Sequence, residues 1–503
     1  MNLAQSILLI LFVFFFSHTS AKAALVENVT IGNAKALSLA HAVTADPPGI
    51  DSIHFNPAGL TKLTNRQYSL KFLAGAFNFQ TEFGERGGLI DECLDNVVCN
   101  LNRAYDDPLE NSVSATKTPS LMLPVSGLTE MPIDALVAPF GGFSYSPEGS
   151  NLTFATTVYV PMGAGYKRGA DDPGRFFGRE FSLARITYLS PTIAYQANEH
   201  WSIGFGTLVS WQGVGLDMDL RVPGFATAAV DTLQTNICDS NALSAVFTIC
   251  EGTLGPYDRV ASLATEMEDA FSFSWNLGLL WEPNEWFSWG VVYQSEGKTE
   301  LKGDYTLEYS QGWSDLFGGL LDEQRGNSAT VGLLNLLESV TPIALPQGNL
   351  DSGPGSTRVE TGTVTSRLAS PAHFSTGVSV KITPRTKVNF DFKWTDWGSW
   401  ETIRLDFDTN QIDFLKIAGL LPNQGLLVPL GGADLYTFGF SLLASKGKTI
   451  DFAYGYLKSN EKVSSGGSSN ANSDALIYNP YAGLEFENTT TAHIIEFNYN
   501  AVF

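Results

Sequence analysis

Residues 271–281 read Phe-Ser-Phe-Ser-Trp-Asn-Leu-Gly-Leu-Leu-Trp, and this stretch decides the fold. Each odd-numbered position holds an aromatic residue or leucine, while serine, asparagine or glycine stands at the even positions up to Gly278. A period of two residues is the pattern of a β-strand with one apolar face. Because residues 201–209 and 388–394 repeat it, we predict an all-β chain of antiparallel strands.

The strands are separated alternately by tight turns and by long loops. Tight turns are predicted at 198–199, 283–284 and 446–448, and long loops at 82–118, 222–270 and 307–370. Short turns at one end and long loops at the other are typical of a transmembrane β-barrel in an outer membrane. The twelve predicted strands are 68–80, 134–146, 150–160, 181–196, 200–221, 271–282, 286–306, 371–384, 386–408, 432–446, 448–460 and 490–503. A further pair could be hidden in 110–125 or 409–431.

A soluble β-sandwich is the alternative to a barrel. Two features favour the membrane. Only 16% of the residues are charged, against roughly 25% in ordinary soluble domains. Aromatic residues also stand at strand ends, where the interfacial girdles of barrels lie. These residues are Trp281, Trp286, Trp289, Trp394, Trp397 and Trp400.

The first 23 residues form a predicted export signal. Residues 7–16 are an apolar run, and Ala21-Lys22-Ala23 has the form of a cleavage site, so we expect cleavage after Ala23. The alternative, a membrane anchor, is disfavoured because ten residues are too few to span a bilayer. No later run of 18 apolar residues predicts a transmembrane helix. The net charge of −22 disfavours a nucleic-acid partner, which requires a basic surface.

Between the signal and the first strand lies a short segment, residues 24–66, that we predict to fold into the lumen as a plug. It is rich in small residues and contains Asn56-Pro57-Ala58, in which proline fixes φ and restricts the residue before it. An ordinary turn is the alternative interpretation of this motif. The predicted organisation is therefore a signal peptide at 1–23, a plug at 24–66 and a barrel at 67–503.

The four cysteines form two close pairs, Cys93 with Cys99 and Cys238 with Cys250. In an exported protein each pair is predicted to close a small loop by a disulfide. Zinc is the rival interpretation, but neither pair is Cys-x-x-Cys and no histidine stands nearby. We expect no metal and no other cofactor.

Several short motifs, taken in order, resemble the FadL/TodX family of outer-membrane transporters. They are Asn56-Pro57-Ala58, Phe273-Ser-Trp275-Asn276-Leu-Gly278, Tyr293-Gln-Ser295, Lys302-Gly303-Asp304-Tyr305, Thr395-Asp-Trp397 and the ending Asn498-Tyr499. The resemblance covers nearly the whole mature chain. It implies a monomeric barrel of fourteen strands with an N-terminal hatch, surrounded by outer-membrane lipid. It also implies passive uptake of hydrophobic compounds, with long-chain fatty acids as the first expectation.

The chain departs from the family pattern between Asp408 and Asp434, where a further strand hairpin is expected and none is visible. Its last strand ends on Phe503, as in bacterial outer-membrane barrels, where the terminal residue helps recognition by the barrel-assembly machinery.

The resemblance implies that the ligand leaves sideways, through a gap where the third strand is kinked. In this chain the third strand runs into Pro161-Met162-Gly163-Ala164-Gly165. Proline lacks a ladder donor and glycine weakens pairing, so Pro161, Gly163 and Gly165 are the predicted lateral gate. The alternative is that these residues begin the next loop.

The family's inner pocket uses basic residues to bind a carboxylate, and by neighbouring residues these fall on Arg221 and Arg404. Strand parity also predicts that both point inward, where a bidentate carboxylate clamp is strongest. The alternative is a structural role, with internal partners Asp217, Asp219 and Asp406.

Loop 307–370 carries apolar residues at helical spacing, including Trp313 and Phe317. These residues are predicted either to pack two short helices together or to form an apolar surface on which the ligand first binds.

Three other functions are weighed against fatty-acid uptake. Uptake of aromatic hydrocarbons or alkanes is disfavoured by two inward arginines. An aqueous porin is disfavoured by the plug. A lipid-modifying enzyme would need a Ser/His pair in the wall at the membrane interface. The mature histidines lie in the plug segment, at strand ends or on the outward face. We therefore predict no enzymatic activity.

Overall fold

The structure is a computed structural model. It describes residues 33–39, 41–86, 107–118, 121–125, 128–133, 136–221, 258–312, 359–383, 386–396, 402–408, 425–427, 433–445, 448–463, 477–478 and 484–502. Among these residues no helix is long and apolar enough to cross a membrane.

Short helices occupy the N-terminal part of the chain, and strands make up most of the rest. The α-helices are α1 (Ala34–Ser38) and α2 (Ser52–Phe55), and the 3-10 helices are Gly49–Asp51, Pro57–Lys62 and Pro173–Phe176. The strands are β1 (Asn65–Arg86), β2 (Val113–Ala115), β3 (Leu121–Val125), β4 (Leu128–Ile133), β5 (Leu136–Ser146), β6 (Leu152–Lys167), β7 (Glu180–Leu189), β8 (Thr192–Gln196), β9 (Trp201–Arg221), β10 (Arg259–Asn284), β11 (Phe287–Gln294), β12 (Glu300–Tyr309), β13 (Val359–Arg367), β14 (His373–Thr383), β15 (Thr386–Thr395), β16 (Thr402–Arg404), β17 (Asp406–Phe407), β18 (Gly425–Leu427), β19 (Ala433–Ser445), β20 (Lys448–Val463), β21 (Ile477–Tyr478) and β22 (Leu484–Val502).

Antiparallel pairing joins the wall strands in the order β19, β20, β22, β1, β5 and β6, and continues through β7 and β8 to β9 and β10. From β10 it continues through β11 and β12 to β14 and β13, and then to β15 and β17. The first and last long strands, β1 and β22, pair along nearly their whole length, as closure of a barrel requires. The number of strands that cross the membrane stays a prediction.

Burial alternates along the wall in the sense opposite to that of a soluble protein. On β10 the apolar Phe273 and Leu277 are 48% and 43% exposed, whereas Ser274 and Asn276 are 2% and 0% exposed. Apolar residues therefore face outward and polar residues face the lumen, which is the pattern of a barrel surrounded by lipid. The predicted all-β transmembrane barrel is confirmed.

Several predicted boundaries are wrong at the loop ends of the strands. Strand β10 begins at Arg259 and not at 271, and β13 and β2 lie within predicted loops. On β10 the outward residues Glu266 and Glu268 are exposed. Beyond the lipid both strand faces can be polar, so the alternation that marks a strand in the sequence is lost there.

The N-terminal segment, defined here as residues 33–39 and 41–64, packs against the strands of the wall. Helix α1 packs against β19, β20 and β22, while the Pro57–Lys62 helix packs against β8, β9 and β10. Leu37, Ile53 and Leu60 are completely buried.

Candidate functional site

The Asn56-Pro57-Ala58 motif holds the N-terminal segment to the wall. The Asn56 side chain accepts a hydrogen bond from the Ala58 amide at 3.1 Å, which caps the short helix that follows. Its Nδ2 group donates to the Thr44 carbonyl at 2.9 Å and to the Leu279 carbonyl of β10 at 3.1 Å. One buried side chain thus joins the motif to the rest of the segment and to the wall.

Two wall glycines make this close approach possible. A Cβ atom at Gly204 of β9 would lie 2.5 Å from the Ala58 nitrogen, and one at Gly278 of β10 would lie 2.7 Å from the Pro57 Cδ atom. Both distances are shorter than any normal contact, so larger residues here would displace the motif.

The segment is also held at two other places on the wall. The Thr44 amide donates to the Asp391 carboxylate of β15 at 2.7 Å. Asp51 forms a buried ion pair with Lys71 of β1. Together with the contact at Leu279, these bonds hold the segment to three separate wall strands, β10, β15 and β1.

The wall is incompletely paired beside the predicted gate. The β5–β6 ladder runs from Tyr145 opposite Phe154 only as far as Gly141 opposite Val158. Strand β6 continues to Lys167, but among the described residues no ladder pair joins it to β5 beyond Val158. An edge of β6 is therefore left without its β5 neighbour, which we name the wall opening.

The predicted gate residues lie along the wall opening. Pro161, Gly163 and Gly165 are all within β6, so they continue the strand and do not begin a loop. The register between β6 and β7 shifts between Tyr159 and Met162, directly around Pro161. Such an irregularity is typical of a β-bulge, which bends a strand.

An apolar cluster lies at the wall opening. It combines residues of the N-terminal helix α1 with residues of β1, β5, β6, β20 and β22, and Tyr166 packs against it. Its larger members are Leu37, Phe79, Phe140, Val160 and Ile494.

A buried cation stands beside the opening. Arg185 of β7 is opposite Met162 in the ladder and only 2% exposed. Its guanidinium donates to the Gln212 side chain at 3.2 Å and lies close to Gly297. Among the described residues no carboxylate lies within ion-pair distance of it, although a guanidinium offers five donors. This is the arrangement expected of a site that receives an anion from outside.

A buried histidine of the N-terminal segment lies against the gate strand β6. His54 is 4% exposed, and its ring is 5.3 Å from that of Tyr159 and 5.9 Å from that of His373. Burial lowers the pKa of His54 well below its ordinary value, and neighbouring cationic groups lower it further. The neighbours are His373, Lys393, His41 and Lys71.

The structure does not bring the two predicted clamp arginines together. Arg221 is 1% exposed, and its guanidinium makes two hydrogen bonds of 3.0 Å to Asp107. The expected partners Asp217 and Asp219 instead bind Arg179 and Arg175.

Arg404 lies in β16, which pairs with β18 outside the main wall sheet, and its side chain is exposed. The prediction that Arg404 points inward is wrong, because the neighbouring residue Leu405 holds the buried position and is only 3% exposed.

Other predicted residues lie outside the described part of the chain. These are Trp313, Phe317, Cys93, Cys99, Cys238, Cys250, Phe503 and the signal at 1–23. Their roles stay predictions.

Two important residues were not predicted. Arg185 stands in β7 between Ala184 and Ile186, and a single arginine at an inward position of a strand was the available signal. Asp107 lies in a loop 114 residues from its partner Arg221, and no local pattern could have indicated that pairing.

A barrel whose apolar residues face outward and whose polar residues face the lumen defines an outer-membrane β-barrel protein. The chain belongs to the outer membrane protein transport protein family (OMPP1/FadL/TodX), whose model matches residues 12–419. The family consists of outer-membrane transport proteins and not of enzymes.

Among curated proteins, the chain is similar to a long-chain fatty acid transport protein of Escherichia coli O6:H1, with 21% identity over 243 residues. That match spans 48% of this chain and less than half, 45%, of the relative.

Among solved structures, a Pseudomonas aeruginosa FadL homologue matches with a TM-score of 0.59 and 14% identity, covering 94% of this chain and 99% of the other. The Ralstonia pickettii toluene transporter TbuX matches with a TM-score of 0.51 and 14% identity, covering 93% and 98%. At such identities these likenesses show the fold alone.

Proposed function

We propose that this transporter takes up long-chain fatty acids and releases them sideways through the wall opening. The observation that carries the proposal is Arg185, a buried cation with no carboxylate partner in the described part of the chain. A fatty acid has two chemical groups that suit the surroundings of Arg185. Its carboxylate can bind a guanidinium through two parallel hydrogen bonds, and its alkyl chain can lie on apolar residues.

The apolar cluster at the wall opening is placed to receive that chain. Arg185 stands opposite Met162, the residue between Pro161 and Gly163. The cluster contains Val160, two residues before Met162. A ligand with its head group at Arg185 could therefore extend along β6 toward the missing β5 pairing. In this proposal Pro161, Gly163 and Gly165 serve as the lateral gate.

The N-terminal segment is proposed as the plug that keeps the lumen closed to water. Support comes from its contacts with β1, β10 and β15, which lie around the ring. Leu37 of α1 also belongs to the apolar cluster at the opening. Movement of α1 would then be required before ligand could pass, whereas the Asn56-Pro57-Ala58 motif would stay fixed on β9 and β10.

The transport proposal includes a route of export and assembly. Residues 1–23 would direct export and be removed after Ala23. Phe503 would then support recognition of the closing strand by the barrel-assembly machinery, and the finished barrel would work as a monomer.

Binding of an acid and of an alcohol with equal chain length tests the carboxylate site. In an Arg185→Gln variant, loss of a charge-assisted hydrogen bond of about 1.5–3 kcal/mol should weaken binding of hexadecanoic acid roughly ten- to a hundredfold. Binding of hexadecanol should change less than about twofold, because the alcohol has no charge. The matched control is Arg404→Gln, which removes an exposed arginine.

Uptake of neutral aromatic hydrocarbons is the second candidate, favoured by the apolar cluster, which would hold a neutral ring equally well. A transporter of neutral aromatic hydrocarbons gives a different result in the same comparison of acid and alcohol binding. If Arg185→Gln weakens the acid and the alcohol alike, or neither, the carboxylate site is refuted and a neutral ligand is favoured.

A further inference from the structure

One row of outward residues on β20, β22 and β1 marks the upper end of the lipid-facing band. In this row Tyr456 of β20 stands opposite His493 of β22, which stands opposite Ala76 of β1. Below the row the outward residues are apolar and exposed, and they include Phe72, Ile495 and Phe497. The next row above is polar and consists of Lys458, Thr491 and Asn78. Such a change along three neighbouring strands is expected where hydrocarbon meets lipid headgroups.

The length of β20 places this change at the outer boundary of the membrane. Strand β20 begins at Lys448, beside the tight turn predicted at 446–448, and Lys458 is ten residues farther along it. At about 3.4 Å per residue and a tilt of about 40°, ten residues rise roughly 26 Å. The apolar band of a barrel is about 25 Å tall. Lys458 therefore lies at the level of the headgroups of the outer leaflet.

Two side chains in these rows can donate hydrogen bonds to an anion. Lys458 is exposed, and it forms no ion pair with another residue in the described part of the chain. His493 is also exposed, and the Tyr454 hydroxyl lies 2.7 Å from its Nδ1 atom. When the phenol donates to Nδ1, the proton of a neutral imidazole is on Nε2, where a further acceptor can bind it. An ammonium and an imidazole N–H group thus stand together at headgroup level.

The charges around these two donors favour an anion on this side of the wall. Glu487, the first outward carboxylate of β22, lies roughly 14 Å along the strand beyond the row of Lys458. Farther up, Glu485 is already paired with Lys462 at 2.6 Å. On β10, by contrast, two outward glutamates stand just above the apolar band. A phosphate would be repelled there and attracted to β20 and β22.

Strand β1 leaves room for an acyl chain beside these donors. Its outward residues Ala74 and Ala76 stand opposite larger residues of β22. Above Gly75 no ladder pair joins β1 to β5 among the described residues, so β1 faces β6 across the wall opening. Two small side chains between larger ones and an opening form a shallow apolar groove. A lipid with its headgroup at Lys458 could lay one acyl chain along this groove.

We propose that β20, β22 and β1 bind a phosphorylated lipid of the outer leaflet, with its phosphate on Lys458 and on the Nε2–H group of His493. One acyl chain of this lipid lies along Ala74 and Ala76, so the bound lipid is the neighbour of the wall opening on its β1 side. The inference goes beyond the proposed function, because it concerns a lipid of the surrounding membrane and holds for an acidic or a neutral transported ligand.

Native mass spectrometry of the full-length protein in nonionic detergent tests the lipid site. The probes are lipid A and the same lipid after removal of its phosphates, and the phosphorylated form should bind at least about tenfold more tightly. Lys458→Gln should weaken its binding about five- to tenfold, and adding His493→Phe should lower it to the level of the dephosphorylated form. The matched control is Lys462→Gln on the same strand face. Binding should change less than about twofold there, because Glu485 already pairs with that ammonium.

A conservative variant separates loss of a contact from loss of folding. Lys458→Arg keeps the charge and should bind lipid A as the natural protein does. The inference is overturned if both forms of the lipid bind equally, or if Lys458→Gln with His493→Phe binds lipid A normally. Displacement of lipid A by inorganic phosphate at equal concentration would show a site for a free anion and would also overturn it. Failure of the proposed function is recognised separately, because Arg185→Gln should leave the binding of lipid A unchanged.

Discussion

Arg221 and Arg185 are both buried, and they are expected to respond to the same substitution in opposite ways. Arg221 faces a carboxylate whose side chain is 0% exposed. Changing Arg221 to Gln leaves that carboxylate buried without its cation, which costs about 3–5 kcal/mol in buried ion pairs. Arg185→Gln loses about 1.5–3 kcal/mol from its charge-assisted hydrogen bond to Gln212. It also removes a buried charge that forms no ion pair with the described residues, and the desolvation of such a charge costs several kcal/mol.

The free energy of unfolding should therefore fall by about 3–5 kcal/mol in Arg221→Gln and stay level or rise in Arg185→Gln. Urea unfolding in phospholipid vesicles, followed by the fluorescence of the ten tryptophans, measures both values. Asp107→Leu with Arg221→Met should restore the stability lost in the single variant, because it removes both charges together. The reasoning is refuted if the two single variants differ by less than about 1 kcal/mol.

Two further predictions concern the wall opening and the plug. Replacing Pro161, Gly163 and Gly165 by Val, Thr and Val should regularise β6 and reduce uptake of hydrophobic ligand severalfold at an unchanged surface level; normal uptake would locate the exit elsewhere. Because the pKa of His54 is lowered in the fold, the folded protein keeps His54 neutral while the unfolded chain is protonated below pH 6.5. The stability it contributes is present above pH 6.5 and is lost as the pH falls toward the lowered pKa. Ion conductance of the natural protein in planar bilayers should thus be low at pH 7.5 and rise near pH 5. In His54→Phe the conductance should stay low at both pH values. When residues 24–66 are deleted it should be high at both. A pH-independent conductance in the natural protein would contradict the role of His54.

The sequence predicts the fold well where the membrane imposes a pattern. Residues 271–281 alternate because one side of β10 faces lipid, and this alternation was enough to indicate a barrel. Residues 259–270 belong to the same strand, but outward Glu266 and Glu268 remove the contrast between its faces. Strand β2 was missed for a related reason, since three residues are too few to display a period.

The candidate site was predicted less completely, because its contacts join distant parts of the chain. The irregularity at Pro161, Gly163 and Gly165 is local, and proline and glycine mark it in the sequence. The partner of Arg221 is not local: Asp217 and Asp219 are its neighbours in sequence, but Asp107 approaches from the loop before β2. Parity could place Arg221 inside the barrel, yet it could not identify which of several acids would reach it.

The charged upper part of β10 has a consequence for where a ligand first meets the protein. The outward apolar band on this strand ends at Phe271, which is 65% exposed. At about 3.4 Å per residue and a tilt of about 40°, residues 259–270 raise the rim roughly 30 Å above that level. This height is about the thickness of the hydrocarbon core itself. We therefore expect the rim of the barrel to project well above the membrane, where a hydrophobic molecule in the surrounding water can meet the protein before it dissolves in the bilayer.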